Sequence, residues 1–167
     1  MRPERVQETP SSPAHKIEGH GRNEVRLILP ATPTAVRRAL GSLRAGLCAQ
    51  DLDAEELGTI ELVLAEVLNN VVEHAYENSG RGTIEVRVNT GDRGLYFTVQ
   101  DEGKPMPENM PPLGSQVPQD CDIADLPEGG FGWFLIRELV KDLFYLRVDE
   151  VNKVTFRLAV GNLQNTV

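Results

Sequence analysis

Long apolar runs are missing from this 167-residue chain. No stretch approaches the roughly 20 apolar residues that cross a bilayer, and the N-terminus has no apolar core of a signal peptide. Cysteine is scarce: Cys48 and Cys121 stand at a spacing that matches neither a metal-ligand set nor a disulfide framework. The expected setting is therefore a reducing, cytoplasmic one, with no membrane association. Histidine is equally thin, and His15 and His20 are too isolated to read as metal ligands. Positive charge is in the minority, with 17 Lys and Arg against 25 Asp and Glu and a formal net charge of -8. No face is expected to neutralise many phosphates, which excludes direct nucleic-acid binding and favours a basic protein partner.

What the chain does have is one domain's worth of alternating elements. Residues 1–22 are rich in Pro, Ser, Glu and Gly without apolar period and are expected to form a flexible arm. Val25, Leu27 and Leu29 alternate as in a half-buried strand. Thr32 and Pro33 then read as an N-cap and first helical position for a helix through Leu47. Asp53 with Glu56 three residues on is a variant of the capping box, opening a long helix expected to reach Tyr76. Strands are expected over 83–89 and 95–100, joined by a glycine-bearing hairpin turn, and over 143–148 and 153–160. Between them a helix is expected over 130–141. Residues 102–128 hold six prolines and no sustained period, the pattern of a long functional lid. The fold class expected is α+β: a two-layer sandwich whose mixed sheet is covered on one face by helices. The ordered domain is expected over 23–160, with a short tail over 161–167.

Three polar features interrupt this pattern. Glu66 and Asn70, four apart, share one face of the long helix at the border of its apolar stripe, where a cleft would be lined. A carboxylate beside an amide oxygen suits a proton acceptor and a divalent cation. Asp101 ends a strand and could accept a hydrogen bond from an exocyclic amine such as adenine's, with Gly103 letting a base lie close to backbone. Gly129, Gly130 and Gly132 precede or open a helix whose N–H groups would suit a polyphosphate. Taken singly, each has a plain alternative: a solvated helix face, an ordinary turn, a loop terminator.

In order and at this spacing, the three segments resemble the N, G1 and G2 boxes of the GHKL (Bergerat-fold) ATPases. They are Glu66-x-x-x-Asn70-x-x-Glu73-His74-Ala75-Tyr76, Asp101-x-Gly103-x-Pro105, and Gly129-Gly130-x-Gly132-x-x-Leu135-Ile136-Arg137. More narrowly, they look like the anti-sigma-factor serine kinases of bacterial partner-switching systems. The resemblance implies that Glu66 is a general base for a serine hydroxyl and Asn70 a Mg²⁺ ligand. It implies that Asp101 and Gly103 meet adenine, that Gly130 and Gly132 meet the phosphates, and that Thr155 supports adenine from the last strand. His74 is expected to pack or to support the site rather than to react.

The resemblance further implies ATP and Mg²⁺ as ligands, an anti-anti-sigma protein and a sigma factor as partners, and a homodimer. Glu66 points to hydroxyl activation, where histidine kinases usually carry Asn. The rival expectations are a module that binds ATP and sequesters a partner without transfer, and a histidine-kinase-type or gyrase-type ATPase domain. Departures from the family pattern are Met106, Phe131, Trp133 and a lid without arginine, holding only Lys104 near its start. The missing lid arginine bears on the rate of phosphoryl transfer rather than on nucleotide binding.

Overall fold

Side chains that suggested the helix starts build them. In the computed structural model, which describes residues 24–114 and 131–161, the Thr32 hydroxyl accepts from the Ala35 N–H at 3.2 Å, with Pro33 at the first helical position. This opens α1 (Pro33–Leu47). Asp53 and Glu56 form a reciprocal capping box, 2.8 and 2.9 Å, at the head of α2 (Ala54–Asn70). The second oxygen of Glu56 accepts from the Gly161 N–H at 2.5 Å, so one carboxylate fastens the end of the last strand to the start of the central helix.

The long helix does not reach Tyr76 in α form. It passes at Val71–Ala75 into a π-helical turn, closed by the Tyr76 N–H to the Val71 carbonyl at 3.1 Å. Apolar spacing gives no hint of this, because Val67, Val71 and Ala75 keep an ordinary helical interval. The Ala75 carbonyl is then taken by the Lys104 N–H at 2.8 Å. That bond ties the end of the helix to the loop beyond β3.

The strands are β1 (Glu24–Pro30), β2 (Thr83–Gly91), β3 (Gly94–Asp101), β4 (Lys141–Val148) and β5 (Val151–Leu158), in the order β1-β2-β3-β5-β4. All four pairings are antiparallel, which corrects the expected mixed sheet. The reason lies in the closing hairpin. β3 and β4 point the same way across the intervening helix α3 (Phe131–Leu139), but the hairpin docks by its second strand, so β5 separates them. Asp149 and Glu150, both at positive φ, make the tight turn, and β4 starts directly after α3 rather than two residues later. Pro107–Asn109 adds a short 3-10 turn within the proline-rich segment.

Among the described residues, helices cover one face of the sheet only. Val86, Phe97, Val99, Val154 and Phe156 point into the core beneath Ile60, Leu64, Val67 and Leu68, and the Phe97 and Phe156 rings stack at 5.1 Å. The other face carries the alternate residues, including the Arg26–Glu85 pair at 2.7 Å and the exposed Phe144, Leu146 and Val148. No helix among the described residues is long and apolar enough to cross a membrane. The arm over 1–22, lid residues 115–128, Gly129, Gly130, Cys121 and the tail from 162 lie outside the described residues.

Glu56→Ala removes both the capping box and the tie to Gly161. We expect it to lower the unfolding free energy by about 1–2 kcal/mol, read as a lower urea midpoint at unchanged slope. An unshifted midpoint would show that this carboxylate holds nothing together.

Candidate functional site: a carboxylate-lined cavity under the central helix

A cavity of about 950 Å³ opens between the C-terminal half of α2 with its π turn, the end of β3, the loop after it, and the first turn of α3. Glu66, Asn70, Asp101 and Gly132 all line it. Three segments, at residues 66–70, 101 and 132, thus converge, which is what their joint reading required.

On the helix wall, the Asn70 amide donates to the Glu66 backbone carbonyl at 2.6 Å. Its nitrogen is thereby engaged within the helix, and its oxygen is the atom left to act as an acceptor or metal ligand. Glu66 is half-buried one turn earlier. Gly132 crosses directly over it: a Cβ at that position would stand 2.5 Å from the Glu66 carboxylate oxygen and 3.5 Å from the Asn70 amide nitrogen. A side chain at 132 would push the Glu66 carboxylate out of this position, so the glycine near the start of α3 leaves room for it there.

At the opposite end, Asp101 is 5% exposed. One of its oxygens, Oδ1, accepts from the Asn152 side-chain amide at 2.7 Å and from the Gly103 N–H at 2.9 Å. Burial raises the Asp101 pKa above the usual aspartate value, opposed by the Asn152 and Gly103 hydrogen bonds and by the Arg147 charge. Gly103 does not line the cavity; a Cβ there would meet the Ala75 carbonyl at 2.6 Å. Its smallness lets the loop close on the π turn.

Two expectations fare differently. Gly130 lies outside the described residues. Thr155 is misplaced: β5 buries Asn152, Val154, Phe156 and Leu158 on the helix side, so Thr155, of the other parity, faces the open side of the sheet. The polar residue that β5 does deliver to the cavity is Asn152, which the sequence reading passed over. Its signal was present: a polar residue two positions before Val154 occupies an inward position of an alternating strand. Tyr145 and Arg147 were also missed, because β4 carries apolar residues on both faces and its parity cannot be read from pattern. His74 and Asn69 line the rim, both exposed.

The electrostatics are lopsided. Glu66, Glu73 and Asp101 line the cavity against a single described lysine, Lys104, whose ammonium pairs with Glu77 at 2.5 Å. No group of three His, Cys, Asp or Glu among the described residues could hold a metal by itself. A Mg²⁺ ion fits this donor set only in the manner usual for nucleotide sites, with one or two protein ligands and the rest from phosphates and water.

A family profile described as histidine kinase-like ATPase domain matches residues 29–158. An anti-sigma F factor from Bacillus licheniformis is 28% identical over 125 residues, spanning 73% of this chain and 82% of that protein. A serine-protein kinase RsbW from Bacillus velezensis is 23% identical over 121 residues, spanning 71% and 75%. Among solved structures, the RsbU and RsbW domains of a Mycobacterium tuberculosis protein share the fold at TM-score 0.54 and 18% identity. The match covers 82% of this chain and 32% of that longer one.

Asp101→Asn is nearly isosteric: its oxygen keeps the Asn152 and Gly103 bonds, while an N–H₂ replaces the acceptor facing the cavity. ATP affinity is expected to fall by about 1.5–3 kcal/mol, and the preference for ATP over GTP to shrink, because a donor suits guanine's carbonyl oxygen. Stability should not fall. A carboxyl whose native pKa is raised binds its proton more tightly when folded, so its contribution to stability declines as pH rises from the ordinary value, near 3.9, through the raised one. Calorimetry with both nucleotides and melts at pH 4 and 7 check this; an unchanged nucleotide preference would refute it.

Proposed function

The chain belongs to the family of histidine kinase-like ATPase domains, and from that premise we propose that it is an ATP-dependent protein-serine kinase that also sequesters a sigma factor. The observation that carries the reading is the half-buried Glu66 carboxylate, held beside Asn70 under Gly132 in the cavity that Asp101 closes at its other end. Support for the partners comes from the relatives named anti-sigma F factor and serine-protein kinase RsbW. The substrate hydroxyl would belong to a serine of a small antagonist protein, and its phosphorylation would decide which partner the chain holds.

In this reading Asp101 accepts from the adenine amine and fixes the base end of ATP. Glu66 accepts the serine proton as the hydroxyl oxygen forms its bond to the γ-phosphorus. The bond from that phosphorus to the bridging oxygen breaks, ADP leaves, and phosphoserine remains. Mg²⁺, when bound, would offset charge on the phosphates, with Asn70 Oδ1 as its protein ligand. The carboxylate-rich lining gives that role physical weight, since a bare triphosphate would meet like charge at Glu66 and Glu73. Cytoplasmic location and assembly as a homodimer belong to the same proposal; light scattering at micromolar concentration giving the mass of two chains would support the latter, and a monomer mass would remove it.

One observation favours a second reading, in which ATP is bound and a partner sequestered without transfer. Lys104 is the one cation among the described lining residues, and it is engaged with Glu77, whereas phosphoryl transfer usually draws on a cation at the γ-phosphoryl group.

Transfer of labelled γ-phosphate to a cognate antagonist separates the two. Glu66→Gln is expected to keep ATP affinity and lower transfer about 10²–10⁴-fold. Asn70→Ala is expected to weaken Mg·ATP binding itself, and transfer with it. Transfer by Glu66→Gln at the wild-type rate would remove the base assignment, and tight ATP binding without transfer by the wild type would favour sequestration alone.

A further inference from the structure

Asn152 makes more side-chain hydrogen bonds than its place on a strand requires. It is 3% exposed and stands directly opposite Asp101 in the β3–β5 ladder. Its amide nitrogen donates to Asp101 Oδ1 at 2.7 Å, to the Lys104 carbonyl at 3.0 Å and to the Gly103 carbonyl at 3.2 Å. Its oxygen accepts from the Arg147 guanidinium at 2.6 Å and the Tyr145 hydroxyl at 2.7 Å. The amide cannot be turned over. A guanidinium only donates and a backbone carbonyl only accepts, so Oδ1 must face Arg147 and the nitrogen must face the loop.

The same cluster ties down the loop around the base end of the cavity. Arg147 also donates to the Gly103 carbonyl at 2.9 Å. The Tyr145 hydroxyl accepts from the Met106 N–H at 3.1 Å while donating to Asn152. β4, β5, the end of β3 and residues 103–106 therefore meet at one side chain. Both donors to Asp101, Asn152 and Gly103, converge on Oδ1, which leaves Oδ2 as the acceptor available on the cavity side.

We infer that Asn152, clamped by Tyr145 and Arg147, is a positioning and specificity-determining residue: it occupies Asp101 Oδ1 and so presents Oδ2 as a single, fixed acceptor that admits a purine bearing a 6-amino group. The inference rests on the reading of this cavity as an adenine nucleotide site and names what makes it selective. Without the amide, the carboxylate is free to rotate and the loop loses two of its anchors, at the Gly103 and Lys104 carbonyls, so the acceptor is no longer aimed. Removing Asn152 also removes the strongest of the influences that oppose burial at Asp101, leaving Gly103, Arg147 and the nearby Tyr76 as the groups facing that carboxyl. Its pKa then rises further.

The test compares ATP with purine riboside triphosphate, which lacks the 6-amino group, and with Mg·tripolyphosphate, by calorimetry on the full chain. Wild type is expected to prefer ATP over the analogue by at least tenfold. Asn152→Ala should bring that ratio to within about threefold of unity while leaving tripolyphosphate affinity unchanged, and should move the acid limb of ATP affinity to higher pH. Tyr145→Phe keeps the ring and removes only the hydroxyl; it should lower the ratio in the same direction and serves if Asn152→Ala does not fold. A wild-type ratio preserved in whichever of these variants folds overturns the inference alone. A wild type that does not distinguish ATP from the analogue overturns the adenine reading and the inference with it.

Discussion

A carboxylate and a carboxamide face each other across the last rung of the β3–β5 ladder, buried at the edge of a cavity, and the geometry of the site follows from that pair. Asp101 is costly to hold in place: burial pushes its pKa up, and the Asn152 and Gly103 hydrogen bonds and the Arg147 charge oppose that shift. Their bonds reach into the loop and the last hairpin, so the ladder register, the turn at Gly103 and the docking of β4 are all fixed by the need to satisfy one buried charge. An apolar pair at this rung would give a simpler sheet end and no acceptor for a ligand.

The other end of the cavity is organised by a different constraint, the passage of α3 across α2. Gly132 brings backbone against the Glu66 carboxylate, while Asn70 turns its nitrogen back into the helix. Among the described lining residues acidic groups thus dominate a pocket of about 950 Å³. That imbalance favours ligands that arrive with a cation. The π turn between these two ends is the joint: it finishes the helix with the Ala75 carbonyl taken by the Lys104 N–H, beside the Lys104–Glu77 pair and the Glu102 N–H donating to the Tyr76 hydroxyl, so that the helix wall and the loop wall are connected.

Much of this was legible in the sequence, for identifiable reasons. Capping side chains mark helix starts locally, which is why Thr32, Asp53 and Glu56 were read correctly. Glu66, Asn70 and Asp101 could be found because polar residues broke otherwise apolar patterns. The π turn was illegible because it leaves side-chain spacing intact. The antiparallel sheet was missed because which strand of a hairpin docks is a tertiary choice. Thr155 was carried over from a family resemblance against the parity of its own strand, and Asn152, which that parity favours, was the better reading.

The most direct test of the account is a crystal structure of the chain with Mg²⁺ and a non-hydrolysable ATP analogue. The adenine amine should lie about 2.7–3.2 Å from Asp101 Oδ2, with Asn152 still on Oδ1, the metal on Asn70 Oδ1 and Glu66 beside the γ-phosphate. A nucleotide bound with its base away from Asp101, or with its phosphates outside the Glu66–Asn70 wall, would contradict the account.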